Sequence, residues 1–279
     1  MDFTRSPDAR PAPWRRYVAI GDSFTEGLWD VPGAAPPAPG ALPDGPCRGW
    51  ADLLAAHLAE RAAGAGDGPV RYANLAVRGR LLGRILAEQL PVALDLRPDL
   101  VSVVGGGNDL LRPGADPDAL AAMLEQGVAR ARAAGADVLL ATGFDTRHSP
   151  VIRRTRARTA VFNAHIWSIA QRHGAYVVDM WGMRSLHDWR MWAADRIHLT
   201  TEGHRRVAQA ALVALGLAPD DPAWDDPLAP LPPLPRAARA RADAEWLRGY
   251  AVPWATRRLR RRSSGDGRAP KRPALEPVG

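Results

Sequence analysis

Short apolar runs alternate along this chain with longer stretches whose apolar positions recur every three or four residues. The short runs are Tyr17–Ile20, Val70–Leu75, Leu100–Val104, Ala136–Ala141 and Tyr176–Val178. They are too short for stable helices and carry few polar interruptions, the pattern of strands covered on both faces. Helical spacing spans Trp50–Ala63, Leu81–Leu94, Asp118–Ala134, Thr155–His173 and Thr201–Leu215. Gly135, Gly174 and Gly216 stand where the third, fourth and fifth of these should stop, because glycine accepts the left-handed conformation that closes a helix. Pro91 interrupts the second, which predicts a kink or two segments. The alternation predicts an α/β fold with a central parallel sheet of about five strands and helices on both faces. In such sheets ligands bind beyond the carboxyl ends of the strands. Ser23, Gly79 and Asn108 follow the first three runs and so should share that rim.

The α/β rhythm occupies residues 17–217. Residues 1–16 read as a loose arm. Residues 218–279 read as a Pro-rich linker, then a helical stretch over Arg236–Arg262, then a Ser/Gly/Pro-rich end expected to be disordered. Residues 30–47 are rich in Pro, Gly and Ala and predict an irregular loop beside Ser23, with a lid and a passive insertion equally open.

Charge changes this picture only at the end of the chain. Of the net +7, residues 236–279 supply +8, from 12 basic and 4 acidic residues, and the rest of the chain is nearly balanced. Any contact with an anionic polymer or membrane surface is therefore sought in the tail, where Arg257–Arg262 follow Trp246 and Trp254. The competing expectation is that Trp246 and Trp254 pack on the body while the arginines stay solvated; nucleic acid is not expected as a partner. Lys271 is the single lysine, and the arginine excess reads as codon bias. One cysteine, Cys47, excludes an intrachain disulfide. No apolar stretch suits a secretory signal or a membrane span, so the expected location is the cytoplasm. The spacings of zinc sites, phosphate loops and dinucleotide folds are absent, so neither metal nor cofactor is expected.

The candidate chemistry lies in four motifs: Gly21-Asp22-Ser23, Asn74 to Gly79, Gly106-Gly107-Asn108-Asp109, and Asp195-Arg196-Ile197-His198. Ser23 follows a strand through a turn that can lift its hydroxyl into a crevice, although Ser after Gly-Asp also serves as an ordinary turn or cap. Thr25 replaces the second glycine of the Gly-x-Ser-x-Gly elbow, which disfavours the common α/β-hydrolase arrangement. Asp195 and His198, three apart, suit a carboxylate that orients an imidazole. Asp145 and His148 have the same spacing, and spacing alone does not rank the two pairs. The Asn108 amide and the backbone N–H groups of Ser23 and Gly79 could donate to an oxyanion. Asp109 reads as a brace for its turn.

These blocks resemble those of the SGNH hydrolases, the superfamily of GDSL-type esterases and lipases, over residues 17–215. Phe24 and Ala76 depart from the usual residues at positions that carry no chemistry. The resemblance implies a flavodoxin-like three-layer α/β/α sandwich and a serine esterase without cofactor. It implies Ser23 as nucleophile, His198 as base and Asp195 as its orienting acid, which resolves the tie with His148. It implies an oxyanion hole of Ser23, Gly79 and Asn108, and small-molecule or lipid-like esters as substrates. The tail resembles the extension of actinobacterial members. Two rival functions stay open on the residues: acyl transfer by the same serine, and non-catalytic binding of anionic surfaces through the tail. Oligomeric state is not legible.

Overall fold

The computed structural model describes residues 14–34, 37–38, 40–43, 45–149, 152–233, 235–253, 256 and 263–278. In chain order the main elements begin with β1 (Arg16–Gly21), α1 (Ser23–Glu26), α2 (Trp50–Gly64) and β2 (Arg71–Asn74). Next come α3 (Leu82–Arg84), a wide π-helical turn (Ile85–Gln89), α4 (Leu90–Asp95), β3 (Leu100–Val104) and α5 (Gly107–Leu110). The second half holds α6 (Pro117–Ala133), β4 (Asp137–Ala141), α7 (Arg156–His173), β5 (Tyr176–Val178), α8 (Thr201–Ala214), α9 (Arg236–Trp246) and β6 (Arg272–Pro277).

Among the described residues the strands form one six-stranded sheet in the order β5-β4-β3-β1-β2-β6. β1 to β5 are parallel, and β6 joins β2 antiparallel. Alternate strand residues face opposite layers. Tyr17, Ala19 and Leu139 pack with Trp50, Leu54, Leu58 and Leu212 of α2 and α8. Val18, Ile20, Val101 and Leu140 pack with Leu82, Leu124, Phe162 and Ile166 of the opposite helices. This is the predicted three-layer α/β/α sandwich, and burial on both faces explains why the strand sequences are so continuously apolar.

The predicted interruption near Pro91 takes a specific form. Helix α3 widens into the π turn, and Pro91 sits in the first turn of α4, where its missing N–H costs nothing. The chain end requires a correction: the expected disorder does not hold for residues 272–277, which form β6. Its prolines, at positions 273 and 277, are tolerable because an edge strand pairs on one side only. Of the arm expected over residues 1–16, residues 1–13 lie outside the described residues, as do Trp254 and the Arg257–Arg262 cluster; the arm's last three residues are not loose, since Trp14 is buried and donates to Asp137 at 2.9 Å and Arg16 opens β1. Among the described residues no helix is long and apolar enough to cross a membrane.

The strand order fixes where a site can form. From β1 the chain steps outward to β2, then returns to β3 on the other side of β1. Connections therefore leave β1 and β3 in opposite directions, which opens a crevice at their carboxyl ends. Ser23 follows β1 directly and Gly106–Asn108 follow β3.

Candidate active site

The turn that carries Ser23 is built on backbone ties. Gly21 ends β1, and a methyl group there would lie 2.5 Å from Thr25 Oγ1 and 2.6 Å from the Val104 carbonyl oxygen, so no side chain fits. Asp22 caps α1, its Oδ1 accepting from the Phe24 amide at 3.0 Å. Gln89, delivered by the π turn, pairs with both backbone groups of Gly21. Its Oε1 accepts from Gly21 N–H at 2.8 Å and its Nε2 donates to Gly21 O at 2.9 Å. Gln89 thus acts as a strand neighbour at the point where the sheet ends. The sequence reading missed it; the one available signal was a polar residue at a position within a helix's apolar face.

Helix α1 has only four residues, and its far end is held from outside. The Asn74 Nδ2 donates to Thr25 O at 2.9 Å. The Glu26 carboxylate accepts from the Arg78 amide at 2.7 Å and from Arg78 Nε at 2.8 Å. Both side chains are largely buried, so the ion pair locks the nucleophile helix to the loop that carries Gly79. Gly79 has φ of +74°, a left-handed conformation that glycine adopts without penalty.

Asp195 and His198 lie on the loop before α8, capped by Thr200, whose side chain accepts from the Gly203 amide. The loop is tightened from within: Asp195 Oδ1 accepts from the amides of Ile197 and His198, both at 3.0 Å. Asp195 Oδ2 lies 2.6 Å from His198 Nδ1. His198 Nε2 lies 2.8 Å from Ser23 Oγ, across 175 positions of sequence. The structure therefore brings Ser23, His198 and Asp195 together. It does not bring Asp145 there, because that carboxylate is held by Arg156 at 2.6 and 3.0 Å.

Asn108 reaches the same rim, but its amide is occupied. Nδ2 donates to Asp22 Oδ2 at 3.0 Å and to the Arg80 carbonyl at 3.2 Å. To serve an oxyanion it must exchange one of these partners for substrate. Asp109 accepts from the Leu82 amide at 3.0 Å and so ties its turn to the start of α3.

Burial sets the electrostatics. It alone would raise Asp195, but His198 and the two backbone amides outweigh it and hold the carboxyl below its usual range. Burial alone would lower His198, but Asp195 outweighs it and holds the imidazole above its usual value. Asp22 behaves oppositely: burial dominates and pushes it up from 3.8 to about 6, against the Phe24 amide, His198 and Asn108. The arrangement can take a proton from Ser23 and hold it on an imidazole stabilised by a neighbouring carboxylate. Among the described residues no group of three His, Cys, Asp or Glu is placed to hold a metal ion.

Residues 19–206, two-thirds of the chain, match the GDSL-like lipase/acylhydrolase family. The chain belongs to that family. This GDSL-like protein is a carboxylic ester hydrolase, and the matched span includes all four motifs. Among solved structures it is similar to LAE5, an alpha/beta hydrolase enzyme from the metagenome of Lake Arreo, Spain. Identity there is 27%, with 72% of this chain and 95% of that chain covered and a TM-score of 0.57. It is similar to TesA at 25% identity, covering 72% and 98% with a TM-score of 0.53. The acetylxylan esterase Axe2 of Geobacillus stearothermophilus shares the fold at 21% identity, covering 73% and 94% with a TM-score of 0.57. No curated protein sequence matches the chain. About a quarter of the chain lies outside these matched lengths.

Proposed function

We propose that this GDSL-like hydrolase cleaves small-molecule esters through an acyl-enzyme on Ser23. His198 Nε2 takes the hydroxyl proton as Ser23 Oγ attacks the ester carbonyl carbon. The N–H groups of Ser23 and Gly79 and the amide of Asn108 receive the developing oxyanion. His198 then passes the proton to the leaving alcohol, and water releases the acyl group by the same sequence. Asp195 holds the Nδ1–H tautomer and stabilises the imidazolium.

One observation carries this reading. Ser23 and His198 stand within hydrogen-bond reach although 175 positions separate them, and the other ring nitrogen meets a carboxylate held by two amides. A surface Asp-His pair would have no reason to meet a serine at the switch point of the sheet.

The test is Ser23→Ala, assayed with p-nitrophenyl acetate. Removing a nucleophile that acts with its base costs up to about 10⁶-fold in kcat, and a loss of at least about 10³-fold is expected, with an unchanged circular dichroism spectrum. Turnover equal to that of the parent protein would refute the mechanism.

A further inference from the structure

The proposed chemistry needs nothing beyond His198, yet the chain continues and returns to the site at three places. First, α9 lies against the Asp195–His198 turn. Trp246 is buried, and its Nε1–H donates to the Asp195 carbonyl at 2.9 Å. The next residue, Arg196, has φ of +59°, a conformation costly for a residue with a side chain. Its guanidinium lies 5.1 Å over the Trp246 ring and 2.7 Å from Asp243 Oδ1. The strained residue of the turn is therefore gripped by α9 through its side chain, and its neighbour through the backbone.

Second, Lys271 reaches the far end of the nucleophile helix. Its Nζ donates to Glu26 O at 2.7 Å, to Cys47 O at 2.9 Å and to Asp52 Oδ2 at 2.6 Å. Three acceptors converge on one point, which an ammonium with three donors can satisfy and a planar guanidinium cannot. In a chain where every other basic residue is arginine, the one lysine stands where arginine would not fit. Third, the turn at Ser263–Gly267 rests on the Gly79 loop. A methyl group on Gly79 would lie 2.1 Å from Ser263 Oγ, and one on Gly265 would lie 2.0 Å from the Arg78 carbonyl oxygen.

We propose that the C-terminal extension is a positioning clamp for the active site, with Trp246 holding the Asp195–His198 turn and Lys271 holding helix α1. It rests on the reading of Ser23, His198 and Asp195 given above. The clamp residues touch no substrate. They act through the Asp195 carbonyl and the Glu26 carbonyl, keeping the base and the nucleophile within reach of each other.

The experiment uses the full chain. Trp246→Phe keeps an aromatic ring under Arg196 and deletes the N–H donor together with part of the buried indole. The groups facing His198 are Asp195 on its own turn, Asp22 and Ser23 from the β1–α1 turn, Arg78 from the Gly79 loop and His204 from α8; all are unchanged in this variant. The expected result is a three- to tenfold fall in kcat for p-nitrophenyl acetate, with KM within twofold. The acid limb of the kcat/KM profile should also move to lower pH, because a loosened turn weakens the hold of Asp195 on the His198 proton. Asp243→Asn, at a half-exposed position, should move the limb the same way by less. Lys271→Arg keeps the charge and should lower kcat at least threefold without moving the limb. A role in stability alone would lower the melting temperature and leave the limb in place. Profiles of Trp246→Phe and Asp243→Asn that superimpose on the parent, or full kcat in Lys271→Arg, overturn the clamp. If Ser23→Ala is inactive while these variants behave as the parent, the clamp fails and the esterase mechanism stands. If Ser23→Ala is fully active, both fail.

Discussion

Replacing Asp22 by asparagine should raise the protein's stability relative to the parent as pH rises from 4.5 to 7. Asp22 is buried beside the nucleophile, and its carboxyl titrates near 6 in the folded chain against 3.8 when exposed. The folded state therefore binds this proton more tightly than the unfolded state does. Stability from this group is lost as pH rises from about 4 to about 6, and the full cost is present above 6. A tenfold change in proton affinity is worth about 1.36 kcal/mol, so the cost is about 1 kcal/mol at pH 4.5 and about 3 kcal/mol at pH 7, as upper figures. Asparagine keeps the oxygen that caps α1 and carries no charge, but it turns an amide N–H onto the Asn108 donor that Asp22 Oδ2 accepts from; that loss is the same at every pH. His204 opposes this trend in the parent protein. Burial lowers its pKa to about 4, so its contribution is lost as pH falls from about 6.5 towards 4 and is retained above. The two slopes largely cancel in the parent, and the difference between variant and parent isolates Asp22. Urea unfolding of both proteins at pH 4.5, 5.5 and 7 gives that difference. It should grow by about 2 kcal/mol across the series. A difference that stays constant with pH refutes the claim that Asp22 is ionised at a cost in the fold.

Two further changes probe the same rim. Asn108→Ala should lower kcat for p-nitrophenyl acetate on the order of 10²-fold with little change in KM, and an unchanged kcat would show that backbone donors alone serve the oxyanion. Gln89→Leu leaves the buried N–H of Gly21 without a partner and its C=O with only the Val77 amide at 3.3 Å, and should destabilise the protein by about 1–3 kcal/mol, read from urea midpoints; a loss under about 0.5 kcal/mol would show that the turn at Ser23 is held by other contacts.

The sandwich was legible because its strands are buried on both faces and its helices on one. That contrast writes a short apolar run or a three-four spacing into the sequence, and Leu100–Val104 and Tyr176–Val178 fall at the bounds so read. The candidate site was legible for a related reason. Parallel strands all deliver their following loops to one rim, so Ser23, Gly79 and Asn108 were drawn together by topology before any contact was known. His198 was not placed by that argument. Spacing left it level with His148, and the resemblance to a family favoured it. The structure supplies the physical difference: Asp145 is bound by Arg156, whereas Asp195 is left for an imidazole. Gln89 and Lys271 were illegible because neither belongs to a periodic pattern. Gln89 gains its role from a π turn that shifts the register of one helix, and Lys271 from its place just before an edge strand whose partner is two hundred residues earlier in the chain.

Helix α1 shows why distant segments gather at this site. Four residues make a single turn, and an isolated turn is unstable because nucleation fixes several dihedral angles for one hydrogen bond. The nucleophile cannot therefore rely on its own helix to hold it. Asp22 caps one end; Gln89 holds the glycine before it; Asn74, Arg78 and Lys271 hold the other end. These ties come from a π turn, a strand, a loop and the final strand of the chain. The base has the complementary problem. Asp195 and His198 share one short loop, so their mutual geometry is local, but that loop contains a left-handed arginine and must be kept from relaxing away from Ser23. A site assembled from two weak local structures needs support from elements that carry no chemistry, and in this chain much of that support comes from residues after 236, beyond the span 19–206 that matches the family.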